Sequence, residues 1–198
     1  MGDSFMAWHG AIGKSIPHVI AEDLGATVES PAVSGARVLY PLPISGALGM
    51  RIGKQYRPGD WDWVVLNGGG NDLWIGCGCM LCEGQLDRLI GPEGRRGEIV
   101  ENVMKIRETG AQVVYLGYLR SPGRGSLIDH CRTEGDELEA RIARMAELVE
   151  GVHFLSFADL VPEGDRSYHA LDMIHPSIKA SDEIGRSVAR LIREESGA

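Results

Sequence analysis

Asp172-Met173-Ile174-His175-Pro176 places a carboxylate three residues before an imidazole. If the loop turns back on itself, Asp172 accepts the His175 Nδ1–H, which fixes the tautomer and leaves Nε2 free as a general base. Such a pair also arises by chance in surface loops, so its meaning depends on what accompanies it. Ser4, between Asp3 and Phe5, offers a hydroxyl for such a base to activate, although serine is equally a favoured helix N-cap. The two roles are compatible. A nucleophile at a strand-to-helix turn holds its oxygen at a helix N-terminus, where backbone N–H groups favour developing negative charge. Gly69-Gly70-Asn71-Asp72 adds a side-chain amide able to donate to an oxyanion, on glycines that permit a tight turn. A plain turn explains that stretch as well. A phosphate-cradling loop does not, because no lysine and hydroxyl follow the glycines. Ser34-Gly35-Ala36 adds a backbone N–H from Gly35, and Ser45-Gly46-Ala47 is a second candidate for the same duty.

Elements able to position these residues can be read from the hydrophobic pattern. Trp61 to Asn67, Gln112 to Gly117 and Val152 to Phe157 are apolar, β-branched runs of buried-strand type. Ile12, Ile16, Val19, Ile20 and Leu24 recur at helical spacing before Gly25, with Pro17 expected to start or kink that helix. A short extended segment is expected near Val28. Residues 31–59 read as loop with one short helix, and the cysteine-bearing stretch after Asp72 and the stretch 121–125 read as loops. Further helices are expected over Ile99, Val100, Val103 and Ile106, over Leu138, Ile142, Met145 and Val149, and over Ile184, Val188, Leu191 and Ile192. Strands alternating with helices predict an α/β sandwich with a parallel sheet, helices covering both faces. Ligand sites of such sheets lie at the carboxyl ends of the strands, which is where the motifs fall. No repeat or linker divides the chain, so residues 1–198 are expected to form one domain.

The net charge of −8 argues against a nucleic-acid footprint, and no apolar run is long enough to span a bilayer. Cys77, Cys79 and Cys82 cluster, with Cys131 distant. They read as free thiols or a loop disulfide, with pairing of Cys131 to one of the three left open; such pairing would imply an oxidising compartment. Their spacing is not a recognised zinc pattern. Trp8, Trp74 and Tyr168 lie near the motifs as pocket aromatics or as ordinary core and rim residues.

The four blocks Gly2-Asp3-Ser4, Ser34-Gly35-Ala36, Gly69-Gly70-Asn71-Asp72 and Asp172-Met173-Ile174-His175-Pro176, in that order, resemble those of the SGNH hydrolases, also called GDSL esterases and lipases. The resemblance runs from Gly2 to the final helix. It implies a flavodoxin-like three-layer α/β/α sandwich and Ser4 as nucleophile, with Asp172 and His175 completing the triad. It also implies an oxyanion hole of the Ser4 N–H, Gly35 and Asn71, with Gly35 preferred to Gly46 because its block and its distance from Ser4 match better. The substrate would be a small-molecule carboxylic ester, cleaved without metal or organic cofactor. Within a family spanning lipids, thioesters, acetylated sugars and arylesters, the lack of a long apolar lid-like segment favours small acyl groups. Phe5 replaces the frequent Leu of the namesake motif. The hydrophobic strand that normally precedes Gly-Asp-Ser is expected to be missing from this chain. A signal peptide upstream of Met1 would imply a periplasmic or secreted protein, and its lack a cytoplasmic one. Oligomeric state is not specified. The rival expectations are a non-catalytic binding module on the same scaffold and a metal-binding or redox protein built on the cysteines.

Overall fold

A computed structural model describes residues 1–122 and 126–197; positions 123–125 of the expected loop at 121–125 lie outside the described residues. Three parallel strands form the sheet in the order β1 (Trp63–Leu66), β2 (Gln112–Leu116), β3 (Val152–Leu155). The register pairs Val65 with Val114 and Tyr115 with Phe154. Because side chains alternate along a strand, both faces carry apolar residues. Leu66, Val113, Tyr115 and Val152 enter one core together with Ile99, Val103, Leu138 and Ile142. Val114 and Leu116 enter the other with Phe5, Ile16, Ile20, Ile184 and Val188. The helices α6 (Glu98–Arg107) and α7 (Arg132–Leu148) thus cover one face, and α2 (Ile16–Leu24) and α8 (Ile178–Ser196) the other, with α1 (Ser4–Ala7) beside them. The expected three-layer α/β/α arrangement is what is found.

Several local expectations need correction. The first long helix begins at Ile16, with Pro17 in its first turn where its missing N–H costs nothing. Ile12 instead ends a separate 3-10 turn and is exposed. No strand forms around Val28, which is also exposed. The region 31–59 contains α3 (Pro43–Ser45) followed by tight helical turns at Gly46–Met50 and Ile52–Lys54. The cysteine-bearing stretch after Asp72, read as loop, is largely helical, lying within α4 (Gly70–Cys77) and α5 (Glu83–Leu89). Helices of eight and seven residues are too short for a periodicity test, and the covalent staple Cys77–Cys82 ties the end of one to the start of the other.

The four cysteines form two disulfides, Cys77–Cys82 and Cys79–Cys131. The free-thiol reading is therefore wrong, and the open pairing of Cys131 resolves to Cys79. His130 lies close to the second disulfide, but both sulfurs beside it are already bonded to each other.

Among the described residues the sheet has no strand ahead of Gly-Asp-Ser, as expected, although a single rung is present there. The Met1 nitrogen donates to the Val65 carbonyl at 2.8 Å, and the Asn67 N–H donates to the Met1 carbonyl at 3.4 Å. That is the bonding of one parallel rung, so Met1 occupies a strand position at the edge of β1. Among the described residues, no helix is long and apolar enough to cross a membrane.

Candidate active site

Ser4 is brought to the carboxyl end of the sheet by a network of buried hydrogen bonds. Gly2 donates to the Gln55 Oε1 at 2.6 Å, and the Gln55 amide donates back to the Gly2 carbonyl and to the Gly49 carbonyl, both at 2.8 Å. Gly2 has φ +147°, and a Cβ there would lie 1.9 Å from Asn67 Oδ1, so only glycine fits. The Asp3 N–H donates to Asn67 Oδ1 at 3.2 Å, and the Asn67 amide donates to Asp3 Oδ1 at 2.9 Å. Asp3, rather than Ser4, is the N-cap of α1, accepting from the Phe5 N–H at 2.9 Å. Ser4 is the first helical residue, its own N–H left free by helix geometry.

Asp3 also accepts from the Tyr118 hydroxyl at 2.6 Å, and that hydroxyl accepts from the Gly70 N–H at 3.2 Å. Burial pushes the Asp3 carboxyl up, with the bonds from Tyr118, Asn67 and Phe5 opposing it. Burial, reinforced by the neighbouring Asp3 charge, holds the Tyr118 phenol well above its ordinary range, so it remains a donor.

Asn71 lies in the first turn of α4, whose preceding Gly69 adopts φ +102°. Its amide donates to the Ala36 carbonyl at 3.1 Å, leaving a second N–H available. Asp72 explains why Ala36 is there. Its carboxylate takes the Val38 N–H at 2.9 Å and the Leu39 N–H at 2.7 Å, tying the 36–39 segment to α4. Burial raises the Asp72 carboxyl to about 6 despite those two bonds. Gly35, φ +78°, precedes this tied segment. Its N–H makes no hydrogen bond within the chain among the described residues, whereas the Gly46 N–H is spent on the Leu42 carbonyl at 2.9 Å.

His175 sits in a loop whose turn is closed by Asp172. Asp172 Oδ1 accepts from the Ile174 N–H at 3.0 Å and the His175 N–H at 3.1 Å, and Oδ2 accepts from His175 Nδ1 at 2.6 Å. Partial burial works against ionisation, but the bonds from His175 and Ile174 hold the Asp172 carboxyl below its usual range. Nδ1 therefore carries a proton and Nε2 is the free nitrogen. The indole of Trp8 lies flat on the imidazole, centroids 3.8 Å apart and planes 4° from parallel. His9 Nε2 donates to the Pro176 carbonyl at 3.1 Å.

Ser4, Asn71 and His175 line one cavity of about 110 Å³. Its apolar lining includes Phe5, Trp74, Leu119, Ile128, Leu138 and Ile174, and Arg120, Asp129 and Arg132 add charge. Arg120 is engaged by Glu139 and Asp136, both at 2.7 Å. Gly35 is not part of this lining, and Ser4 Oγ forms no hydrogen bond to His175 among the described residues. Of the aromatic candidates, Trp74 lines the cavity and Trp8 covers His175. Tyr168 does neither; its ring lies 3.7 Å from the Lys179 ammonium and its hydroxyl donates to Glu183. Gln55, Asn67 and Tyr118 are the residues that sequence reasoning missed. The bonds that tie them to Gly2, Asp3 and Gly70 span 48 to 115 residues, beyond any local pattern.

The chain belongs to the GDSL-like lipase/acylhydrolase family, whose model matches residues 1–181. Among solved structures, it is similar to the psychrotrophic esterase EstA from Pseudoalteromonas sp. (16% identity, TM-score 0.64, covering 100% of this chain and 97% of that one). It is also similar to Est24, a carbohydrate acetylesterase from Sinorhizobium meliloti (14%, 0.66, 98% and 96%). A catalytic mutant of an acetylxylan esterase from Geobacillus stearothermophilus matches at 19% identity and TM-score 0.62, over 98% of this chain and 90% of that one. No curated protein sequence matches the chain. At these identities the structural likeness speaks for the fold.

Proposed function

We propose that this protein is a serine esterase that hydrolyses short-acyl esters by a Ser4–His175–Asp172 triad. The observation that carries the reading is the oriented His175–Asp172 pair on the rim of the cavity that Ser4 and Asn71 also line. Nε2 of His175 takes the Ser4 proton as Ser4 Oγ attacks the ester carbonyl. The oxyanion is met by the Ser4 N–H at the start of α1, by the spare Asn71 amide proton and by the Gly35 N–H, which comes just before the segment that Asp72 ties down. His175 then protonates the departing alcohol, and water repeats the sequence to release the acid. Every group is supplied by residues 1–198 acting as one domain, and no cofactor has a role.

The size of the cavity supports a small acyl group. About 110 Å³ is less than the roughly 150 Å³ that holds a benzene ring. Acetyl esters, including those of carbohydrates, are the substrates to try first, in keeping with the acetylesterases among the similar structures. Two disulfides fit an oxidising compartment.

Ser4→Ala is expected to lower kcat on a p-nitrophenyl acetate assay by roughly four to six orders of magnitude, with an unchanged melting temperature. A fluorophosphonate probe should label the wild type at Ser4 and not the variant. Undiminished turnover in Ser4→Ala removes the nucleophile. Folded wild type that neither labels nor hydrolyses any short ester is instead a binding module on this scaffold.

A further inference from the structure

We propose that Trp8 is a positioning residue for His175, holding the imidazole by its face while Asp172 holds it by its edge. This rests on the reading of His175 as the base. A hydrogen bond at Nδ1 alone leaves the ring free to tilt about that bond, because the terminal torsion of histidine is broad. The indole lying 3.8 Å away and 4° from parallel removes that freedom.

The source of the plate matters as much as its presence. The Trp8 N–H donates to the Ser4 carbonyl at 2.8 Å, the bond that closes α1. Residues four apart lie on one face of a helical turn, so a single turn presents both the nucleophile and the ring that fixes its base. The next residue adds a second hold. His9, at φ +64°, turns the chain so that its Nε2–H reaches the Pro176 carbonyl, one residue beyond His175. The base loop needs such help, because it is otherwise closed mainly by its own bonds, Ala170 N–H to the His175 carbonyl and Met173 N–H to the Ala170 carbonyl, and its Leu171 is fully exposed.

Charged and titratable groups near His175 among the described residues include Asp172 in direct contact, Asp3 at the start of α1, His9 bonded to the next residue, and Asp129, Arg120 and Arg132 in the lining of the same cavity. All remain when Trp8 is replaced, so a difference between variants reports the indole.

The test is the steady-state kinetics of p-nitrophenyl acetate hydrolysis in the wild type, Trp8→Phe and Trp8→Leu. In Trp8→Leu kcat should fall on the order of tenfold with KM little changed, as expected when an aligned base is loosened, and in Trp8→Phe, which keeps an aromatic face, it should fall by less. A kcat in Trp8→Leu that matches the wild type overturns the inference, as does a rise in KM alone or a Trp8→Phe no better than Trp8→Leu. If Trp8→Leu does not fold, Trp8→Phe alone decides: a lowered kcat at unchanged KM supports the role and a wild-type kcat refutes it. His175→Ala separates the layers. Its full activity removes the base and the inference with it, whereas an inactive His175→Ala beside a wild-type kcat in Trp8→Leu removes only the role of Trp8.

Discussion

The part of the cavity that carries Ser4 is built from buried hydrogen bonds, whereas the part around Cys131 is built from loop segments joined by a covalent bond. On the first side, Gln55, Asn67 and Tyr118 hold Gly2 and Asp3 against the ends of β1 and β2, with Asp3 accepting three donors. On the second, Ile128, Asp129 and Arg132 belong to the start of α7 and the turn before it, and Cys79–Cys131 fastens that turn to the α4–α5 connection. The difference teaches where precision is needed. Reacting atoms tolerate little displacement, and sheet ends with satisfied buried donors supply a fixed frame. A surface that only contacts the acyl or alcohol part of a substrate tolerates more, and a disulfide across 52 residues supplies enough order without a core of its own.

Removing the covalent side gives the largest expected effect. Cys79→Ser with Cys131→Ser should cost up to about 4 kcal/mol of stability, from the chain entropy of a loop of this length. Denaturant unfolding measures it. In the same protein KM should rise while kcat changes little; a collapse of kcat with KM intact would show that this side aligns the reacting groups after all. Next comes Asn71→Ala on the hydrogen-bonded side, expected to lower kcat by a hundred- to thousand-fold, about 2.7–4 kcal/mol of barrier, with little change in KM. An effect on KM alone would erase the contrast between the two sides. The smallest effect concerns Asp72. Its carboxyl is raised to about 6 by burial, so the native state prefers it protonated. Its contribution to stability is full below the unfolded value near 4 and declines as pH rises through 6, by roughly 3 kcal/mol in all. Subtracting the pH–stability curve of Asp72→Asn from that of the wild type should reveal this decline between pH 4 and 7. A flat difference would mean that the Val38 and Leu39 N–H groups fully compensate the charge.

Most of the scaffold was legible because its signals are local. Val113-Val114-Tyr115-Leu116 is buried on both faces and reads as a continuous apolar run, and Ile184, Val188 and Ile192 repeat at the helical period. Asp172 and His175 were legible for the same reason, being three residues apart. What was not legible depends on distant partners. Nothing near Gln55 announces that it clamps Gly2, and the preference for Gly35 over Gly46 rested on motif and spacing alone, without sight of the Gly46 N–H bonded to Leu42. Helices α4 and α5 were missed because glycines and cysteines mask their period. The strand position filled by Met1 was missed because a single rung has no pattern to read.

The bond from His9 to Pro176 joins residues 167 apart. The turn that carries Ser4 and the loop that carries His175 are therefore brought together by the fold of the segments between them. If Ser4 and His175 act together as proposed, ester hydrolysis in a refolding experiment should return only with the native fold, later than helical signal does.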